Sequence, residues 1–380
     1  MQSIAGTSSP VEHLPAPGNP ARPLGAWLAG LPPLLYHPAM ARSKPTIHDV
    51  AEAVGVHPST VSRVLNPGTR HMVTAEIARR VTEAARSLGY HRNALAHSLR
   101  TKRSSTIGVI IPDITNPVFP PILRGIEDAL AGAGYTAIIA NTDGAEGRET
   151  VVLEHLLARR IDGLVLATAR RKDPTIERCI AEEIPLVLIN RTTGRNGAVP
   201  SVVNDDAAGI GLTVAHLAGL GHRRIAHIAG PQALSTGHER HRGFLAAMKA
   251  AGLKADDGLI VTAESYSERE GQRAMTALLA EKRKMTAVVA ANDLLALGCY
   301  DALAAHGLRC PRDISITGFN DMPFVDKLNP PLTTVRIQHY EMGLQAAKVL
   351  LERISTPDTR RVDLKLEPSL VVRGSTGRPS

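Results

Sequence analysis

With 380 residues, the chain is too long for one compact core and suits a small module joined to a larger α/β body. Its three cysteines, Cys179, Cys299 and Cys310, are odd in number and lack metal-ligand spacing, which argues against a disulfide framework or a zinc site and predicts small buried side chains. The net charge of +8 is concentrated between Lys44 and Arg103, where ten basic residues stand against four acidic ones, as in a phosphate-binding module or a solvated basic surface.

Residues 1–43 are rich in proline, alanine and glycine and lack periodicity, so we predict a disordered N-terminal extension. Its apolar stretch from Leu24 to Leu35 is interrupted by two prolines and follows no clear basic segment, which argues against a signal peptide. No run of 18 apolar residues predicts a membrane span. We therefore expect a cytoplasmic protein. Met40 lies just before the first periodic segment and is a candidate for the translation start, which the sequence leaves open.

Residues 44–90 have the pattern of a small all-α domain. Thr46 followed by Asp49 predicts a capping box, with Asp in place of the usual Glu or Gln. Gly55 predicts a sharp turn, and Pro58 suits the first position of a second helix. The apolar positions that we expect to be buried are Ile47, Val50, Ala51 and Val54 in the first helix, Val61, Val64 and Leu65 in the second, and Ile77, Val81, Ala84, Ala85 and Leu88 in a third helix after Thr74.

Two short helices about a tight turn, with a third packed across them, are typical of a helix-turn-helix. The second helix turns polar side chains, among them Ser59, Ser62 and Arg63, away from its apolar side. Such a polar side fits the major groove, so the pattern favours double-stranded DNA as a partner. Helical triplets also occur as plain structural bundles, and the pattern alone leaves that alternative open.

The rest of the chain predicts a linker and a two-lobed α/β domain. Residues 91–103 contain a short helical segment, Asn93–Leu99, followed by basic residues. Residues 104–374 alternate apolar runs with amphipathic helices, which predicts parallel sheets with right-handed crossovers, and 375–380 form a tail. Because the runs are too many for one sheet, we expect two lobes with ligands beyond the carboxyl ends of the strands. Polar residues at those ends are Asp113, Asn190, Arg191, Asn292, Asp293, Asn320 and Asp321.

From Lys44 to about Arg373 the sequence resembles the lactose-repressor/galactose-repressor family of bacterial transcription regulators. The motif TIHDVAEAVGVHPSTVSRVLN is specific for this family, and IGVIIPDITNPVF, GHRRIAHIAGP, RHRGF, ANDLLALG, ISITGFND and PPLTTV follow in the expected order. The resemblance implies a periplasmic-binding-protein-like effector domain behind a helix-turn-helix. It also implies a homodimer that binds a palindromic operator, usually as a repressor.

The resemblance carries over to individual DNA-binding positions. Arg63 matches a position suited to a bidentate guanine contact, and Leu99 matches an apolar wedge in the minor groove. His57 and Pro58 depart from the family pattern, so base preference cannot be copied, and a capping or turn role remains the alternative for Thr46 and Asn66. The DNA-binding residues implied are Thr46, His57, Pro58, Ser59, Thr60, Ser62, Arg63, Asn66, Asn93 and Leu99.

The effector site is implied in the same way. The matching residues are Asp113, Asn116, Phe119, Asn190, Arg191, Asp205, Asp206, Arg240, Tyr266, Asn292, Asn320 and Asp321. Amides, carboxylates and guanidiniums pair with hydroxyls, which predicts a sugar as effector, although each residue could instead cap a helix or hold a turn. Asn190 and Asn320 stand where family members often have Asp. With Arg191 and Arg240 nearby, this departure suggests a sugar acid or sugar phosphate.

Other classes of function fit less well. Gly209 and Gly211 hint at a dinucleotide fingerprint, but the third glycine is missing and the segment has a helical pattern. No nucleophile elbow or phosphate-binding loop is present, so an enzyme is not expected, nor is a cofactor. A periplasmic solute-binding protein would need a secretion signal and no basic helical module. Whether the effector acts as inducer or corepressor stays open, and a dimer rather than a tetramer is the default.

Overall fold

The structure, a computed structural model, describes residues 45–66, 68–90, 103–194, 199–281, 284–356 and 361–379. The chain divides into two compact units, the first ending at Arg92 and the second beginning at Asn93. Across the described ranges, no helix is both long and apolar enough to cross a membrane.

The first unit contains three α-helices, α1 (Ile47–Val54), α2 (Pro58–Val64) and α3 (Ala75–Ser87), with a 3-10 turn at Arg70–Met72. The predicted capping box is confirmed: the Thr46 amide donates to Asp49 Oδ2 at 2.6 Å, and the Asp49 amide donates to Thr46 Oγ1 at 3.4 Å. The Thr46 amide and the Thr46 hydroxyl both donate to the Asp49 carboxylate, and these two hydrogen bonds lower the pKa of that carboxyl. Gly55 ends α1 with a φ of 72°, a left-handed conformation that glycine adopts without strain.

Valines form the centre of the small core in this unit. Val50, Val61 and Val81 are fully buried, one from each helix, as the periodicity predicted. Leu88 was expected to be buried but is 40% exposed, because α3 ends at Ser87 and Leu88 caps its last turn. Ala78 is buried instead, one turn before Val81 on the same face.

The second unit consists of two six-stranded sheets. Its strands are β1 (Thr106–Ile111), β2 (Thr136–Asn141), β3 (Gly163–Leu166), β4 (Leu186–Ile189), β5 (Ser201–Asn204), β6 (Ile225–Ala229), β7 (Ile260–Thr262), β8 (Ala287–Ala290), β9 (Ser315–Asn320), β10 (Thr333–Arg336), β11 (Asp363–Leu366) and β12 (Ser369–Val371). Its helices are α4 (Phe119–Gly132), α5 (Glu146–Ala158), α6 (Pro174–Ala181), α7 (Asp206–Gly219), α8 (Ser235–Ala250), α9 (Glu268–Ala280), α10 (Asp293–Ala305) and α11 (His339–Ser355).

Each sheet is the centre of one lobe, which confirms the predicted two-lobed architecture. The first lobe has the strand order β11-β5-β4-β3-β1-β2 and the second β12-β10-β9-β8-β6-β7. All pairs are parallel except β10 with β12. The chain passes between the lobes three times, after β5, after β10 and after β11. The segment GIGLTV lies inside α7, which removes the dinucleotide interpretation.

The cysteines behave largely as small apolar residues. Cys179 and Cys299 are buried, as predicted, whereas Cys310 is half-buried. Burial raises the pKa of the Cys179 thiol to about 12, so this thiol stays protonated and unreactive at neutral pH.

Acid is expected to destabilise the second unit through His227. This side chain is fully buried beside Phe244 and His241, and burial lowers its pKa to about 3. The unfolded chain binds a proton near pH 6.5 that the folded chain refuses, so stability is complete above that pH and falls below it by up to about 1.4 kcal/mol per pH unit. Urea unfolding at pH 7 and pH 5 should show a smaller difference for His227→Gln than for wild type, and equal differences would contradict this expectation.

Candidate nucleic-acid interface and ligand cleft

Helix α2 has one buried and one polar side. Val61 and Val64 face the core, whereas His57, Ser59 and Arg63 are exposed. The other DNA-binding residues predicted around this helix, Pro58, Thr60, Ser62 and Asn66, are half-buried. The helix thus presents a short polar ridge of the size that enters a major groove.

His57, which departs from the family pattern, caps the start of α2 with its own side chain. Its Nδ1 accepts from the Ser59 amide at 3.2 Å and lies 2.8 Å from Ser59 Oγ. Pro58 occupies the first turn, as predicted, where the missing amide hydrogen costs no helix bond. The departure from the family pattern therefore preserves the helix start and changes the side chain exposed there.

Arg63 is the unengaged cation of this ridge. Its guanidinium forms no hydrogen bond or ion pair with any residue of the described chain. By contrast, Asn66 Oδ1 accepts from the Gly68 amide at 3.2 Å, so Asn66 holds a turn, and Thr46 caps α1. Asn93 and Leu99 lie outside the residues that the structure describes, and their DNA-binding roles stay predictions.

A cleft cavity of about 600 Å³ lies between the two lobes. Its first-lobe wall comes from the carboxyl ends of β1 to β4, and its second-lobe wall from segments after β6 and β7. Four predicted effector residues line it: Asp113, Asn116, Arg191 and Tyr266. Residues that sequence analysis did not name include Asp143, Glu149, Thr168, Arg170 and Glu264.

A neighbouring cavity of about 420 Å³ is lined by three further predicted residues, Asn190, Asp205 and Asp206. Hydrogen bonds connect the lobes near both cavities, among them the Thr192 amide to Ser235 Oγ at 2.9 Å and the Arg171 amide to the Ala233 carbonyl at 3.0 Å. Both bonds belong to segments that also line a cavity, so lobe geometry and cavity shape are coupled.

The other five predicted residues are absent from the described linings of both cavities; they are Phe119, Arg240, Asn292, Asn320 and Asp321. Phe119 is 2% exposed and belongs to the hydrophobic core, and Asn292 caps α10 by accepting from the Leu295 amide. Asp321 accepts from Arg336 and Arg373, each at 2.7 Å. Asn292 and Asp321 thus have structural partners, as the capping and turn alternative allowed.

Predicted residues on the cavity walls also make local bonds. Asp113 accepts from the Thr115 amide and hydroxyl, and Asn116 accepts from the Val118 amide. The Tyr266 hydroxyl donates to Thr236 at 3.1 Å. The Tyr266 ring packs directly against the backbone of Gly230. Only glycine fits there, because a Cβ at residue 230 would lie 2.3 Å from the Tyr266 hydroxyl.

Arg240 and Asp206 form a closed, buried ion pair. Arg240 Nε donates to Asp206 Oδ1 at 2.8 Å, and Arg240 Nη1 donates to the Ala291 carbonyl at 2.7 Å. The guanidinium lies 3.8 Å from the centre of the Phe319 ring. Burial raises the pKa of the Asp206 carboxyl although Arg240 opposes that shift. Arg240 is therefore already neutralised by a protein carboxylate.

Arg191 and Glu149 differ from that pair. Arg191 follows β4, and its Nε is buried without a partner. Burial lowers the pKa of this guanidinium to about 10. Glu149 lies in α5, is 5% exposed, and accepts from Thr168 Oγ1 at 2.9 Å; burial raises its pKa against the effect of that hydrogen bond.

Comparison with known proteins identifies both units. Residues 46–93 match the bacterial regulatory proteins of the lacI family, and residues 214–376 match a periplasmic binding protein-like domain. The ribose operon repressor of Escherichia coli strain K12 is 36% identical over 332 residues, covering 87% of this chain and 99% of that protein. The chain belongs to the lacI family.

Solved structures support the same placement of this lacI-family regulator. The lac repressor dimer bound to operator and the anti-inducer ONPF has a TM-score of 0.77 at 27% identity, covering 88% of this chain and 99% of that chain. A LacI family regulator from Enterococcus faecium with bound ribose has a TM-score of 0.64 at 31% identity, covering 72% and 100%. The chain is thus a DNA-binding transcription regulator and not an enzyme, as expected.

Proposed function

We propose that this lacI-family regulator is a cytoplasmic repressor that binds a palindromic operator as a homodimer, under the control of a neutral sugar in the cleft cavity. The observation that carries the proposal is the coexistence of two features in one chain. An exposed polar ridge on α2 carries the unengaged Arg63, and the second unit holds an inter-lobe cavity lined by hydrogen-bonding groups. One feature suits base reading, and the other suits a small polar ligand.

Exposed apolar side chains support a homodimer. Phe324 is 77% exposed and has a φ of 73°, a left-handed conformation that is costly for a bulky residue. Ile114 is 52% exposed. A large exposed aromatic side chain in a strained conformation suits a protein interface. The lac repressor, a structural relative, is a dimer on its operator, and two-fold symmetry of the protein implies a palindromic site.

The charges of the cleft favour a neutral sugar over a sugar acid or sugar phosphate. The wall residues with formal charge are four carboxylates, Asp113, Asp143, Glu149 and Glu264, and two guanidiniums, Arg170 and Arg191. Arg240, the other cation expected to bind an anion, is paired with Asp206. Asp143 is likewise paired, with Arg148, and the remaining carboxylates still outnumber the guanidiniums. An anionic ligand would be repelled by this excess of carboxylates, whereas hydroxyls donate to them. The E. faecium regulator binds ribose, a neutral sugar.

Coupling between sugar and operator would run through the lobes. A ligand between the lobes changes the free energy of the closed arrangement relative to the open one. The hydrogen bonds Thr192–Ser235 and Arg171–Ala233 already connect the two walls. Sugar and operator change each other's affinity by the same factor. The sign of that change depends on whether the sugar prefers the lobe arrangement that binds the operator.

The proposal is tested by selecting binding sites for the full chain from random duplex DNA. We expect enrichment of one palindrome, protein that sediments as a dimer, and a change in operator affinity of at least tenfold with one member of a panel of neutral sugars that includes D-ribose. Matched acids such as D-ribonate and D-gluconate, and inorganic phosphate, serve as controls. Selection of a single half-site by a monomer would overturn the homodimer, and a response only to the acids would overturn the neutral effector.

A further inference from the structure

We infer that Glu149 and Arg191 act together as a ligand clamp, in which a hydroxyl of the ligand bridges the Glu149 carboxylate and the Arg191 guanidinium. Glu149 is a residue that the sequence pattern did not indicate, and the clamp would select neutral hydroxyl-bearing ligands. The inference rests on the proposed function because it concerns the same cavity.

The two side chains lie at the same cavity without touching each other. Both line the cleft, and each contributes to the electrostatic environment of the other. Among the ion pairs of the described chain, none joins them, so their charged atoms are more than 4.0 Å apart. Glu149 has one side-chain hydrogen bond, from Thr168, and within the described residues Arg191 has none.

This arrangement is unusual for charged groups in a protein interior: Glu149 is 5% exposed, and Arg191 is half-buried with its Nε buried. A buried carboxylate or guanidinium is normally paired, since an unpaired one loses its hydration without replacement. The Arg240–Asp206 pair follows that rule in the same unit, with a separation of 2.8 Å and a further bond to the Ala291 carbonyl. Glu149 and Arg191 instead keep open hydrogen-bonding positions on the wall of the cavity, which indicates that a third group completes the pair.

The open positions define the chemistry of that group. A hydroxyl has one hydrogen to donate and two lone pairs to accept, so it can donate to Glu149 and accept from Arg191 at once. A carboxylate or phosphate would be attracted by Arg191 but repelled by Glu149. An ammonium group would be attracted by Glu149 but repelled by Arg191. Together with the 600 Å³ of space, this points to a neutral sugar or polyol.

The test uses three variants of the full chain: Glu149→Gln, Arg191→Met, and the double variant Glu149→Leu with Arg191→Met. The probe is the neutral sugar that gives wild type its largest rise in melting temperature, starting from D-ribose. We expect calorimetry to show at least a tenfold loss of sugar affinity in each single variant, with strongly non-additive losses in the pair. Asp143→Asn is the matched control, because Asp143 lines the same cavity but already pairs with Arg148, and its loss should be under threefold.

The melting temperature without sugar provides a second readout. If the two residues only stabilised the fold, replacing them would lower the melting temperature. The double variant should melt at the wild-type temperature or above it, because it replaces two incompletely paired charges, one buried and one half-buried, by apolar groups. A fall of several degrees would overturn the inference and assign the pair to the fold. Equal sugar affinity in wild type and variants would overturn the clamp alone, whereas a wild type that binds no neutral sugar would overturn the proposed effector class and the clamp with it.

Discussion

Replacing Arg63 by alanine should abolish the preference for one base pair in each half-site and weaken operator binding by roughly 10- to 100-fold per half-site. The guanidinium is exposed at the end of α2 and has no partner within the described chain, so nothing in the free protein competes for its donors. A bidentate contact to guanine contributes about 1–3 kcal/mol of discrimination against other bases. Selection from random duplex DNA with wild type and variant would reveal the lost position.

The control must remove the same charge elsewhere in the first unit. Arg79 lies on α3, is 66% exposed and pairs with Glu83, so Arg79→Ala removes one positive charge without touching the polar ridge. It should lower affinity for all sequences alike and reduce the salt dependence of binding slightly. If Arg63→Ala behaved as Arg79→Ala does, with a uniform loss and no change in base preference, Arg63 would be a backbone contact instead.

The sequence predicted the first unit well because its signals are local. The capping box at Thr46, the left-handed turn at Gly55 and the proline at position 58 each act within one helical turn, and the structure confirms all three. The prediction that Leu88 is buried was wrong, because periodicity alone does not show where a helix ends. Strands β5 and β11 are each four residues long, and β11 alternates exposed with half-exposed residues at the edge of its sheet, so the sequence indicates them only weakly.

The ligand cleft was harder to predict than the folds on either side of it. Residues at strand ends, such as Asp113 and Arg191, were found because parallel strands bring their carboxyl ends together. Asp143 and Thr168 follow strands in the same way and could have been added by that rule. Glu149 could not, since it sits on a helix and reaches the cavity only through the packing of α5 against its lobe. Nor does the sequence reveal that Arg240 is ion-paired with Asp206, so its positive charge is not available to bind a ligand.

Breaking the Arg240–Asp206 pair should produce the largest loss of stability among single substitutions in the second unit. Side-chain exposures of 3% and 8% mean that water cannot replace the missing partner. Arg240→Met would leave Asp206 buried and unpaired, and we expect the free energy of unfolding to fall by about 3–5 kcal/mol, measured by urea denaturation. Arg178→Met is the matched control, because Arg178 is 41% exposed and its pair with Glu182 should contribute less than about 1 kcal/mol.

The double variant Arg240→Met with Asp206→Leu separates the cost of an unpaired charge from the contribution of the pair itself. Apolar groups of similar volume often match a buried ion pair in stability, so the double variant should recover most of what Arg240→Met loses. Asp206 begins α7, directly after the first passage between the lobes, and Arg240 joins it to the end of β8 through the Ala291 carbonyl. The double variant should therefore fold yet respond less to sugar, since the pair connects the lobe crossing to the second sheet. Full recovery of both stability and sugar response would limit the pair to packing, and no recovery of stability would mean that Arg240 acts through Phe319 and Ala291 instead.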